Sequence, residues 1–233
     1  MVPPIADLKR AALDLLFPRW CVGCGKEGSY ICVECRRDLP FISPPICIYC
    51  GRPLGREAVC RGCDNAPGQI DGIRSPFLFN GVIRQAIHEL KYRNLRTMAP
   101  FMAGLLYDYL TENPLAGDVL APVPLHRKRL RERGYNQSAL LAGELGRLSG
   151  IPVITDCLIR QSYTPPQARS GEVAERRSNV AGAFICVDSR LKGKRVILTD
   201  DVSTSGATLN SCAGALKDAG AASVWGLVMA LEL

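Results

Sequence analysis

The stretch Arg195-Val-Ile-Leu-Thr-Asp-Asp-Val-Ser-Thr-Ser-Gly-Ala-Thr208 decides the fold. Its apolar run, Val196-Ile-Leu198, predicts a short buried strand. Two adjacent carboxylates follow, Asp200 and Asp201, and then a hydroxyl-rich loop around Gly206. Beyond the loop the spacing predicts a helix over 207–219, closed by Gly220. A strand that feeds a helix through such a loop gathers the helix's unpaired N–H groups and the positive end of its dipole at one spot, which suits an anion. Ser203, Thr204, Ser205 and Thr208 add hydroxyl donors, and Gly206 and Ala207 supply backbone amides. Carboxylates suit neighbouring hydroxyls, as on a ribose, better than they suit phosphate. No lysine follows the glycine and the carboxylates precede the loop, so this is not a Walker loop. The plainer alternative is a βα turn that carries these hydroxyls by chance.

Working outward, the second half of the chain reads as a parallel α/β sheet flanked by helices. Candidate strands are 119–122, 153–154 continuing toward 158–159, 184–187, 196–198 and 224–231, with a helix over 136–148 between the first two. Right-handed crossovers then place the functional loops at the carboxyl ends of the strands. Just beyond the 119–122 strand lies a basic run, with His126, Arg127, Lys128, Arg129, Arg131 and Arg133. It reads either as an anion-binding loop or as the solvated start of a helix. In the middle segment, Ile73 to Phe79 reads as one or two strands, and helices are expected over 82–92 and 97–110. His88 stands off the apolar stripe of the first helix, with a structural role expected.

The amino-terminal part is read from its cysteines. Eight of the eleven lie between Cys21 and Cys63, all in Cys-x-x-Cys pairs: Cys21/Cys24, Cys32/Cys35, Cys47/Cys50 and Cys60/Cys63. Two such pairs offer four soft thiolates to one tetrahedral Zn²⁺. Two structural zinc ions are expected, in sequential sites or with the first pair crossed onto the third and the second onto the fourth. An iron–sulfur cluster and a dithiol redox role are the weaker alternatives. With so few apolar residues, the segment depends on metal for its folding free energy. The other three, Cys157, Cys186 and Cys212, sit among apolar neighbours and are expected in the core.

Composition sets the limits. The chain has 233 residues with 47% hydrophobic and 22% charged, which excludes disorder and fibrous repeats. No apolar run reaches the roughly 18 residues of a membrane span. Charges in Met1 to Arg10 fall where a signal peptide is apolar, so a cytoplasmic protein without stable membrane insertion is expected. The net charge of +7 marks affinity for phosphates in general, whereas an aromatic content of 6% leaves few stacking residues, with Trp20, Tyr30 and Tyr49 in or beside the cysteine module.

The loop 196–208 resembles the signature of the type I phosphoribosyltransferases, which bind 5-phosphoribosyl-1-pyrophosphate (PRPP). Over nearly its whole length the chain is similar to the ComF family. The resemblance rests on the paired cysteines, Phe79-Asn-Gly-Val-Ile-Arg-Gln-Ala-Ile-His-Glu-Leu-Lys-Tyr92, Pro122-Val-Pro-Leu125 and Arg133-Gly-Tyr-Asn-Gln137. Thr164-Pro-Pro-Gln167, Glu175-Arg-Arg-Ser-Asn-Val180 and the PRPP signature complete it. The resemblance implies a double zinc ribbon module with an N-terminal helix over 1–66 and a phosphoribosyltransferase-like domain over 67–233. Within the latter, 67–118 is the hood and linker, and 119–233 the core. It implies that Asp200 and Asp201 hold the ribose hydroxyls, that 204–208 wraps the 5′-phosphate, and that His126, Arg127, Lys128 and Arg129 face pyrophosphate. Arg169, Arg176 and Arg177 become candidate catalytic residues on a closing loop, and Mg²⁺ accompanies PRPP. The family is associated with natural transformation, so single-stranded DNA and DNA-uptake proteins are implied partners. The other reading left open is an active phosphoribosyltransferase of nucleotide metabolism with an unidentified base or amine. Glutamine amidotransfer is not expected, because position 2 is Val2 and the clustered cysteines are read as metal ligands.

Overall fold

The computed structural model describes residues 19–64, 68–93, 95–161 and 182–233. The N-terminal helix expected before residue 19 and the segment carrying Arg169, Arg176 and Arg177 lie outside the described residues. The elements run α1 (Val33–Arg37), α2 (Arg61–Asp64), β1 (Gly72–Arg74), β2 (Phe77–Leu78), α3 (Gly81–Tyr92), α4 (Ala99–Glu112) and β3 (Val119–Pro122). Then come α5 (Arg127–Arg133), α6 (Gln137–Ser149), β4 (Leu158–Arg160), β5 (Phe184–Cys186), β6 (Arg195–Ser203), α7 (Ala207–Asp218) and β7 (Ser223–Leu231).

The main sheet is parallel, in the order β1-β7-β6-β3, with β2 following β1 along the same edge of β7. Alternation along the central strands sorts their side chains to two faces. Leu120, Ile197, Leu227 and Met229 join a core with α3, α4 and α6. Val119, Ala121, Val196, Leu198, Val224 and Val228 join a second core with α7. Helices therefore cover both faces, as a parallel sheet requires.

Two expectations need correction. The strand around 196–198 continues through both carboxylates to Ser203, because β7 pairs with it from Arg195↔Ser223 to Ser203↔Leu231. The segments expected at 158–159 and 184–187 do not join the parallel sheet. They form a separate antiparallel pair, β4 with β5, resting on the α7 face through Leu158 and Phe184. Val153 touches the sheet through one bridge to Leu120.

The edge of the sheet is closed by the cysteine module. Ile73 donates its N–H to the Tyr49 carbonyl (2.6 Å), Ile42 to that of Pro76 (2.8 Å), and Leu78 to that of Pro40 (2.8 Å). Tyr30, Ile31 and Leu39 enter the same core as Phe77 and the α3–α4 pair, and Tyr30 Oη donates to Thr97 Oγ1 at 2.6 Å. The module thus shields an edge that would otherwise offer unpaired backbone groups. Residues 72–78, read from sequence with the hood, supply that edge.

Candidate functional site

The four sulfurs of Cys21, Cys24, Cys32 and Cys35 lie within 4.8 Å of one another, as do those of Cys47, Cys50, Cys60 and Cys63. A tetrahedron of Zn–S bonds of 2.3 Å puts sulfurs about 3.8 Å apart, so both sets fit one Zn²⁺ each. The arrangement is sequential, and the crossed pairing is excluded. Backbone amides point at the sulfurs: Cys32 N–H at Cys21 Sγ (3.3 Å) and Cys60 N–H at Cys47 Sγ (3.5 Å). Gly25 and Gly51 close the two knuckles at φ 74° and 71°, where a side chain is strained. Cys157 and Cys212 are in the core as expected, and burial pushes the Cys157 thiol up to about 12. Cys186 is only half-buried.

At the carboxyl end of β6, Asp200 and Asp201 are held differently. Asp200 Oδ1 accepts a hydrogen bond from Ser138 Oγ (2.7 Å) and one from the Asp201 amide (2.9 Å). Burial, and then the charge of Asp201, raise its carboxyl to about 7. Asp201 Oδ1 meets Lys91 Nζ at 2.8 Å, with the two side chains 4% and 19% exposed. Its Oδ2 is buried without a hydrogen-bond partner among the described residues, and so is Thr199 Oγ1, two residues earlier on the strand. Orphaned oxygens of this kind are costly and mark a place where a ligand donor or ion fits.

Beyond the strand, Gly206 is the N-cap of α7 at φ 75°, and Ser205 Oγ accepts from the Ala207 N–H at 3.4 Å. The Thr208 and Leu209 amides precede the first intrahelical bond, from Asn210 N–H to the Gly206 carbonyl (2.9 Å), and suit an outside acceptor. Thr204 is exposed, 205–208 are half-buried and Ser203 is buried. The expected anion loop and carboxylate pair are thus adjacent in space.

The motif Arg133-Gly-Tyr-Asn-Gln137 is the joint that presents Ser138. Gly134 ends α5 in the left-handed region at φ 77°, and Asn136 caps α6 while donating Nδ2 to the Val123 carbonyl (2.9 Å). Tyr135 Oη donates to the Leu90 carbonyl, tying the joint to α3. In the basic run, Arg127 and Lys128 are exposed and Arg129 is half-buried. His126 caps α5, accepting from Lys128 N–H (3.2 Å). Desolvation and then the charges of Arg160, Arg127, Arg129 and Arg131 lower its pKa. Arg160 on β4 is shifted downward by burial and by Arg129, against the opposing pull of Cys212 and Asp200. Lys91, Ser138 and Arg160 were not singled out from sequence. The usable signal for Lys91 was a lysine one turn beyond the buried Ile83 and Ile87 on α3.

The Asp200 shift gives a first prediction. A carboxyl whose folded pKa lies above its unfolded one favours folding in its protonated form. That contribution is full below the ordinary value near 3.8 and is lost as pH rises through about 7. Asp200→Asn therefore raises the melting temperature of the ligand-free protein at pH 8, and the gain shrinks toward pH 4. Thermal scans across that range check it, and an equal effect at both ends contradicts the buried-carboxyl account.

Residues 12–64 match the double zinc ribbon domain family. Over 206 residues the chain is 32% identical to competence protein ComFC of Bacillus subtilis, covering 84% of this chain and 82% of that one. It is 29% identical over 201 residues to DNA utilization protein YhgH of Salmonella typhi, covering 83% and 87%. Among solved structures, glutamine PRPP amidotransferase of Bacillus subtilis aligns with a TM-score of 0.40 and 23% identity, over 57% of this chain and 26% of that one. Among the described residues no helix is long and apolar enough to cross a membrane.

Proposed function

The chain belongs to the ComF family of competence proteins, and from that premise we propose that its α/β domain binds PRPP at 200–208 in a protein that handles incoming single-stranded DNA. The observation that carries the first part is the carboxylate pair in the last residues of β6, followed within a few residues by the N-terminus of α7 at Gly206. Phosphate and vicinal hydroxyls are what these two features recognise, and ribose 5-phosphates carry both. Asp200 and Asp201 hold the ribose hydroxyls, while Ser203, Thr204, Ser205, Gly206, Ala207 and Thr208 surround the 5′-phosphate. His126, Arg127, Lys128 and Arg129 face the pyrophosphate, and Arg169, Arg176 and Arg177, outside the described residues, are the candidate catalytic residues that the family resemblance implies.

The unpartnered Asp201 Oδ2 is a hard oxygen donor of the kind Mg²⁺ takes. Bound with PRPP, Mg²⁺ would neutralise charge on the pyrophosphate oxygens. The chain's own contribution is orientation of the ribose and stabilisation of the departing charge by the basic run. Calorimetric titration of the full chain with Mg·PRPP tests this reading. Saturable binding of one PRPP per chain, in competition with ribose 5-phosphate, is expected, and no heat at millimolar ligand removes the reading.

The DNA part is supported by the relatives named for competence and DNA utilization and by a surface of alternating rings and cations. Phe79 stacks on His88 (6.2 Å, 20°), which contacts the exposed Tyr92 (5.4 Å). Arg84 lies over Phe79 (5.9 Å) and Arg133 over Tyr92 (5.4 Å), the latter joining the row to the basic helix α5. Bases stack on such rings while the cations take phosphates. Charge reversal at Arg127, Lys128 and Arg129 together is expected to weaken single-strand binding and to flatten its salt dependence, by a slope of about 1 for each phosphate no longer neutralised. Tyr92→Ala weakens binding with the slope intact. Binding that ignores salt contradicts this part.

A further inference from the structure

The phosphate loop has a support that comes from the zinc module. From Ser203 to Thr208 it contains no lysine or arginine, and its anion affinity depends on how its peptides are turned. Arg52 Nη2 donates to the Thr204 carbonyl at 2.7 Å, and Arg52 sits two residues after the zinc ligand Cys50. In a planar trans peptide the carbonyl and the following N–H point in opposite directions. A guanidinium that holds the Thr204 carbonyl on the module side therefore turns the Ser205 amide to the opposite side.

Arg52 is well placed for this because its backbone is fixed. Cys47 N–H donates to the Arg52 carbonyl (2.8 Å), Gly51 N–H to that of Cys47 (2.9 Å), and Ile46 bridges Pro53. The knuckle is pressed onto β1. A Cβ on Gly51 would lie 2.5 Å from the Ile73 carbonyl oxygen, and Arg74 Nη1 reaches the Ile48 carbonyl at 3.0 Å. Tyr49, Cys50 and Cys63 also share a cavity of about 450 Å³ with Ser205, Gly206 and Ala207, so the second zinc site and the loop bound one space. The first zinc site docks elsewhere, with Gly23 against Val82 of α3.

We propose that Arg52 is a positioning residue for the 5′-phosphate loop, through which the second zinc knuckle sets the loop's affinity for phosphate; this rests on the PRPP reading above. It needs a donor of sufficient reach at position 52 more than it needs a charge touching the ligand. Ribose 5-phosphate and PRPP report on the loop, while zinc content and melting temperature report on the module.

The test is calorimetry on the full zinc-loaded chain and its variants Arg52→Ala and Arg52→Lys, with ribose 5-phosphate and Mg·PRPP as titrants. Arg52→Ala is expected to retain two zinc ions and the wild-type melting temperature, and to bind both ligands about tenfold more weakly, as for the loss of one charge-assisted bond. Arg52→Lys recovers most of that loss. Three outcomes overturn the proposal: alanine binding within twofold of wild type, a lysine variant no better than alanine, or loss of zinc from the alanine variant, which reduces Arg52 to a fold contact. If the wild-type chain binds neither ligand, the PRPP reading falls and the proposal falls with it. Wild-type binding unchanged in the alanine variant removes Arg52 alone.

Discussion

The Asp200→Ala, Asp201→Ala double variant is expected to lose Mg·PRPP binding by at least about a hundredfold, from the hydrogen bonds of two carboxylates to ribose hydroxyls. For Asp200 the loss is not an unfolding effect in disguise. Removing Asp200 deletes a buried carboxyl whose charge the fold disfavours above about pH 7, so the single Asp200→Ala variant keeps its melting temperature or gains at pH 8. Asp201 is different, since its removal leaves Lys91, four-fifths buried, without its partner, and breaking such a pair is costly. Asp201→Asn retains a hydrogen-bond acceptor for Lys91 and separates the two effects. Equal affinity in the double variant and wild type, measured by calorimetry, contradicts the ribose assignment.

Zinc removal is the second large effect. Each four-cysteine site contributes an apparent folding free energy of about 10–16 kcal/mol at pH 7 in comparable small metal domains. The consequence here reaches beyond the module. Tyr30, Ile31 and Leu39 belong to the core of α3 and α4, and the module covers the β1–β2 edge through Ile42, Ile73 and Leu78. Chelation is therefore expected to lower the melting temperature of the whole protein and to promote association through the bared edge. Metal analysis should return two zinc ions per chain, and light scattering should rise as they leave. A stripped protein that keeps its melting temperature and stays monodisperse contradicts this account of the module.

Much of this was legible in the sequence, for local reasons. The anion loop is one continuous stretch whose residue types carry their own chemistry, and each zinc site is built from pairs with a two-residue gap. The sequential pairing needed the fold, because spacing alone permits a crossed one. The length of β6 was hidden, since Thr199 to Ser203 has the polar composition of a loop, and pairing with the long apolar β7 overrides that tendency. The β4–β5 pair is not legible because three-residue strands, one with Ile159 exposed and the other ending just before the exposed Val187, carry too little pattern to fix a direction.

The partners of the carboxylates come from far along the chain. Ser138 lies 62 positions from Asp200 and Lys91 is on α3, and Arg52 reaches the loop across 152 positions. No local pattern announces such pairs. A lysine in line with the apolar stripe of α3 hints that something is buried there, and the sheet shows that it is Asp201.

The central claim is tested most directly by a crystal structure of the full, zinc-loaded chain with Mg·PRPP. The account predicts the 5′-phosphate against the amides of 204–208, both ribose hydroxyls on Asp200 and Asp201, and the pyrophosphate toward 126–129. A ligand seated away from this loop, or bound with its pyrophosphate on 204–208, contradicts it.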